Sequence, residues 1–146
     1  MGAPVPIWPE IESPLLIELI DSLRKRSKAI KHNSSRWTCS AESEHIHTGR
    51  LESVTTELWK FKEPRLIIRL WSDGVLRLYV REHREQMWHF EFTLYAKITP
   101  GDGENVTKAI ESSFAAATER DSSLKEQLLL SIWAPYHPYD IKRGRK

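Results

Sequence analysis

The sequence predicts an α+β domain: an N-terminal helix, a four-stranded antiparallel β-meander and two C-terminal helices, packed as a two-layer sandwich. Three observations carry that prediction. Between Val54 and Ile98 apolar and polar residues alternate with period two, the pattern of strands with one face in a core. On either side of this stretch apolar residues recur at helical spacing instead. The 146 residues, 40% of them hydrophobic, are one domain by the usual size prior and enough for one core of two layers.

Residues 1–12 hold Pro4, Pro6 and Pro9 and read as an extended arm, with Ile7, Trp8 and Ile11 available for burial. The single domain is expected over 13–134. Ser13-Pro14 opens a helix, the hydroxyl capping and the proline standing at the first helical position, where its missing N–H is not needed. Leu16, Leu19, Ile20, Leu23, Ser27 and Ile30 then form one stripe, which predicts a helix from about 14 to 31. Arg24, Lys25, Arg26, Lys28 and Lys31 fall in its last turns, where the helix dipole favours cations. Residues 33–50 are rich in serine and read mainly as loop, with short strands open at Arg36–Cys39 and His45–His47.

Four strands follow, over about 53–61, 65–71, 75–81 and 87–98. Pro100-Gly101-Asp102-Gly103 breaks the sheet. Val106, Ile110, Phe114 and Ala117 form a helical stripe. Ser123 and Glu126 have the spacing of a capping box for a second helix, whose Leu124, Leu128, Leu129, Ile132 and Trp133 cover more than half its circumference. Pro135 ends it, and 135–146 read as an extended basic tail.

The strand pattern also sorts the sheet into two faces. Leu66, Ile68, Leu70, Leu76, Leu78 and Val80 share the inner face. Trp59, Ile67, Arg69, Trp71, Arg77, Tyr79 and His89 share the outer one, and these seven are the candidate binding residues. A three-residue loop Ser72-Asp73-Gly74, with Gly74 left-handed, pairs Leu70 with Leu76 and so sets Arg69 opposite Arg77. Face matching further out suggests a charge-compensated row Glu57–Arg69–Arg77–Glu91 and an apolar row Trp59–Ile67–Tyr79–His89. The helix from Leu124 to Trp133 is expected to cover the second row; a partner is the alternative.

Function classes narrow from here. The net charge of +2 is small for a dedicated nucleic-acid binder, and Glu57 and Glu91 oppose phosphate. Cys39 is the single cysteine of the chain, so no disulfide forms within it, and a cytoplasmic setting is the default. MGAPVPIWPE lacks the basic and apolar regions of a signal peptide, and no apolar run has the length of a membrane span. Cys39, His45 and His47 have a spacing that could reach one metal, but nothing nearby completes a ligand set, so no metal or other cofactor is expected. No nucleophile elbow, phosphate loop, metalloprotease helix or dinucleotide fingerprint occurs. The resulting expectation is a non-catalytic binding or adaptor module, meeting a protein or a second copy of itself through the outer sheet face or the aromatic termini. Two alternatives stand beside it: a single-stranded nucleic-acid platform, and a small enzyme using His89 and Glu91 for acid–base work.

Overall fold

A computed structural model describes residues 11–25, 35–47, 49–60, 63–84 and 88–145. It is α+β, with an antiparallel sheet and three helices: α1 (Pro14–Lys25), β1 (Ser35–Ile46), β2 (Gly49–Lys60), β3 (Glu63–Trp71), β4 (Val75–Arg84), β5 (Trp88–Lys97), α2 (Gly103–Ala116), α3 (Ser122–Trp133) and β6 (Tyr139–Arg145), with a 3-10 turn at Ala134–Tyr136. Most of the expected arm, and the part of the expected first helix after Lys25, lie outside the described residues.

The sheet has six strands, not four, in the order β1-β2-β3-β4-β5-β6. Both extra strands come from segments that lack bulky alternation. In β1 the side turned to the core carries only Cys39 and Ala41 among its described apolar residues, too small to signal a strand amid serines. In β6, within the segment read as a basic tail, Ile141 is the one aliphatic residue packed on the core.

All three helices lie on one side of this sheet. Leu16, Leu19 and Leu23 of α1, Val106, Ile110 and Phe114 of α2, and Leu129 and Trp133 of α3 share a single core with Leu66, Ile68, Leu76, Leu78, Phe90, Phe92 and Leu94. The Ser13 cap forms as expected: its hydroxyl accepts from the Leu16 N–H at 3.4 Å and its carbonyl from the Ile17 N–H at 3.0 Å. Ahead of it the buried Glu52 carboxylate accepts the backbone N–H groups of Glu12 and Ser13, at 2.9 and 2.8 Å. A negative charge at a helix N-terminus is favourable, so this contact ties α1 to β2.

Charge also docks α1 on α2. Glu18 accepts from the Gly101 N–H at 3.1 Å and the Gly103 N–H at 2.6 Å, where α2 begins. The approach is close enough that a Cβ at position 103 would sit 2.5 Å from the Glu18 side chain. At the start of α3 the expected capping box does not form. Asp121 caps instead, its carboxylate accepting from Ser123 and Leu124 N–H at 3.0 and 3.2 Å. Glu126 turns to Arg143 of β6, at 3.1 Å.

Beside it lies an ionic contact that apolar patterning hid. Lys125 is fully buried, its ammonium paired with Glu82 of β4 and 5.0 Å from the centre of the Phe90 ring. Arg65 reaches the other Glu82 oxygen at 2.7 Å. Three charges are thus held where α3 meets the sheet, and the position of Glu82 on the inner face lets β4 run on through charged residues.

Candidate functional site

With every helix on the inner side, the outer face of the sheet carries no helix among the described residues. The expected cover by α3 is therefore overturned, because Lys125, Leu129 and Trp133 all face the core. Trp59, Ile67 and Tyr79 remain partly exposed.

The central hairpin has the predicted register, Ile68 opposite Leu78, Arg69 opposite Arg77 and Leu70 opposite Leu76. Gly74 takes φ +93°, and its N–H bonds the Trp71 carbonyl at 2.9 Å. The two outer registers differ from expectation. Glu57 faces Ile67 and Thr55 faces Arg69, a slip of two residues. Arg77 faces Tyr95 and Arg81 faces Glu91, a slip of four. Both slips are even because side-chain alternation fixes which face a residue takes but leaves register free in steps of two; the turns set it. Lys60 pairs with Glu63, where the expected strands stop at about 61 and resume at about 65, and Arg84 pairs with Trp88, where they stop at about 81 and resume at about 87.

Neither expected row exists. The real transverse rows are Ser40–Thr55–Arg69–Arg77–Tyr95–Tyr139 and Thr38–Glu57–Ile67–Tyr79–Thr93–Lys142. Of the seven candidate residues, Ile67, Arg69, Trp71, Arg77 and Tyr79 are brought together on β3 and β4. Trp59 lies at the far end of β2, opposite Pro64 and next to a bulge. His89 is opposite His83, four residues along β5 from the partner of Tyr79, or about 13 Å; its side chain lies outside the described residues. That separation removes His89 from any acid–base set with Tyr79 and Arg77.

Charge on this face is unevenly settled. Arg69 donates to Glu42 at 3.0 Å and to the Ser53 hydroxyl at 3.0 and 3.1 Å. The Tyr79 hydroxyl donates to Glu91 at 2.8 Å; burial first, and then this bond, push its pKa up. Arg77 differs. Its guanidinium carbon lies 5.8 Å from the centre of the Trp71 ring, which Arg69 approaches to 4.8 Å. Its Nε is buried with no acceptor. No carboxylate occupies any neighbouring outer-face position: Arg69 and Tyr95 lie beside it, Val75 and Tyr79 along its strand, and Ile67, Trp71, Thr93 and Lys97 diagonally. The result is a cation seated among aromatic rings.

Tyr95 and Tyr139 extend that patch, their rings 5.9 Å apart and Tyr139 exposed. Sequence reading missed both as site residues. Tyr95 stands in a recognised strand, but only the true register sets it beside Arg77, and Tyr139 joins only through β6. On β1, Cys39 and His45 lie six residues apart, about 20 Å, and cannot share a metal. Among the described residues no three His, Cys, Asp or Glu side chains converge on a metal-sized site, and no helix is long and apolar enough to cross a membrane. Compared with known families, curated proteins and solved structures, the chain matches none.

Proposed function

We propose that the chain is a non-catalytic binding module whose contact surface for a protein partner is the outer sheet face around Trp71, Arg77, Tyr79 and Tyr95. The observation that carries this reading is Arg77, a cation lying against an indole with no carboxylate partner among the described residues, on the face left open by the helices. Arginine and aromatic residues are enriched where proteins meet, since both offer large apolar area together with a polar edge. An open sheet face of this kind gives a partner area rather than a pocket, which favours association over catalysis. A cytoplasmic setting belongs to the same proposal. Supporting it is the single cysteine, Cys39, which leaves no disulfide to form within the chain.

The test is a comparison of captured proteins. Wild-type protein, the double variant Trp71→Ala/Arg77→Glu and a control altered on the helical side, Lys108→Glu, are used as bait in extract of the native host. The reading requires proteins held by wild type and by the control and lost by the double variant. Identical captured sets for all three would overturn it, as would a double variant that binds everything the wild type does.

A further inference from the structure

We infer that Arg77 is the receptor for an acidic side chain, so that the partner of this face is an acidic peptide segment that sets a carboxylate on Arg77 and apolar atoms on Trp71 and Tyr95. The inference rests on the outer-face reading above and gives it a chemistry.

Charge complementarity is the first argument. Arg69 and Arg77 are directly opposite on neighbouring strands, an unfavourable pairing of like charges. Glu42 and Ser53 compensate Arg69 from the β1 side. On the β5 side, where the matching carboxylate would stand opposite Arg77, the chain places Tyr95. Lys97, diagonal to Arg77, gives its ammonium to the Asp73 carbonyl and adds a second cation beside the gap. With Glu42 set against Arg69 from one side, the place beside Arg77 on the other is one that another molecule's carboxylate can fill.

Geometry supplies the second. The Arg77 fork lies against Trp71, and a guanidinium held by an aromatic ring keeps its planar edge for in-plane hydrogen bonds to an anion. Tyr95 and Tyr139 continue the surface with rings and hydroxyls, suited to the aliphatic stem and backbone of a peptide.

Third, the surroundings favour one acid group over a chain of phosphates. A nucleic-acid strand needs a succession of cations along its path. Away from the Arg77 patch the face has Glu57 two residues from Thr55 on β2 and Glu91 bonded to Tyr79, so a polyanion crossing either way meets a carboxylate. A peptide with spaced acidic residues does not.

Nuclear magnetic resonance tests this directly, because the backbone amides of Val75–Tyr79 and Tyr95 and the buried Nε–H of Arg77 are separate probes. A glutamate peptide with spaced charges and apolar neighbours, acetyl-Ala-Leu-Glu-Leu-Ala-Glu amide, its counterpart with lysine for glutamate and a thymidine oligonucleotide are titrated into the full chain. Saturable shifts confined to this patch are expected with the glutamate peptide alone, weakened roughly tenfold in Arg77→Gln and in about 0.5 M salt, and unchanged in Lys108→Gln. Shifts that persist in a folded Arg77→Gln protein overturn the inference. So does tighter binding of the oligonucleotide at the same residues, which would name phosphate as the occupant. Silence from every probe, with capture in the preceding experiment still dependent on Trp71 and Arg77, would sink the acidic segment and leave the contact surface standing. Silence in both removes both.

Discussion

The indole N–H of Trp133 donates to the Ser113 hydroxyl at 2.8 Å, and that hydroxyl donates in turn to the Ala109 carbonyl one turn earlier in α2, also at 2.8 Å. Both side chains are wholly buried. One hydroxyl therefore serves as acceptor for α3 and donor to its own helix, fixing how the two helices pack. Ser113→Ala strands the indole donor in an apolar core, which costs about 1–3 kcal/mol. Urea denaturation should show that loss, and Ser113→Thr should recover part of it. A Ser113→Ala protein as stable as wild type would mean that the indole finds another acceptor.

Glycine at 103 answers to a different constraint. Glu18 bonds the first amide of α2 so closely that a methyl group there would lie 2.5 Å from its side chain. Gly103→Ala must push Glu18 away, losing a charge-assisted bond at a helix N-terminus, at a cost of about 1–2 kcal/mol. Glu18→Gln removes charge but not volume and should cost less. The two changes should be less than additive in a double-mutant cycle, because Gly103→Ala displaces the same contact that Glu18→Gln weakens.

Lys125 anchors α3 by charge. Removing its ammonium leaves the buried Glu82 carboxylate beside Arg65 without its lysine partner, and breaking one member of a buried pair costs about 3–5 kcal/mol. Lys125→Ala should therefore be among the most damaging changes in the helix, well beyond Gln127→Ala on its exposed side. Lys125→Met combined with Glu82→Leu replaces the pair by apolar volume. That double variant should regain most of the stability lost by Lys125→Met alone, as read from the thermal midpoint.

How much of this was legible in the residues follows from what sequence periodicity can encode. Alternation put Leu66, Ile68, Leu70, Leu76, Leu78 and Val80 on the buried face, and every one is buried. The Ser72-Asp73-Gly74 loop was legible because Gly74 supplies a left-handed φ and a two-residue turn would have opposed apolar to charged side chains. The registers either side were not, since the pairs nearest those connections, Lys60–Glu63 and Arg84–Trp88, stand in charged or mixed sequence without a turn signature. With register lost, Glu57 and Glu91 were set beside the arginines, and the Arg77 patch looked self-neutral. Strand β1 was legible only in part, as possible short strands at Arg36–Cys39 and His45–His47, because the described apolar residues on its inner side are as small as Cys39 and Ala41. Lys125 was hidden because a lysine inside an apolar helix pattern reads as its solvent side.

Cys39 sets a pH dependence. Burial pushes its thiol up to about 12, against a model-peptide value near 8.5–9. The folded state thus holds a proton that the unfolded chain releases above about pH 9. Stability from this group is complete below the unfolded pKa and falls as pH rises from about 9 to 12. Cys39→Ala should show a shallower loss over that window when folding free energy is followed by denaturant titration. At neutral pH the half-buried thiol should react with iodoacetamide more slowly than a free cysteine, and denaturant should remove the difference; native labelling as fast as that of the unfolded chain would contradict the raised pKa.

Arg77 should run against the usual direction of core-adjacent substitutions. Its Nε–H is buried without an acceptor, and it faces Arg69 across the ladder, so the free protein carries both an unmet donor and a like-charge pair there. What it gains is the contact with Trp71, about 0.5–1 kcal/mol at a partly exposed site. Methionine keeps length and packs on the indole without needing an acceptor or repelling Arg69. Arg77→Met should therefore fold with unchanged or higher stability, by up to about 1 kcal/mol, and lose binding of the glutamate peptide. A residue that serves the fold would behave in the opposite way: Arg77→Met would lower the denaturation midpoint while peptide binding per folded molecule stayed constant. The separation of those two readings, stability by urea titration and peptide affinity by resonance shifts, decides whether Arg77 belongs to the fold or to the surface the fold presents.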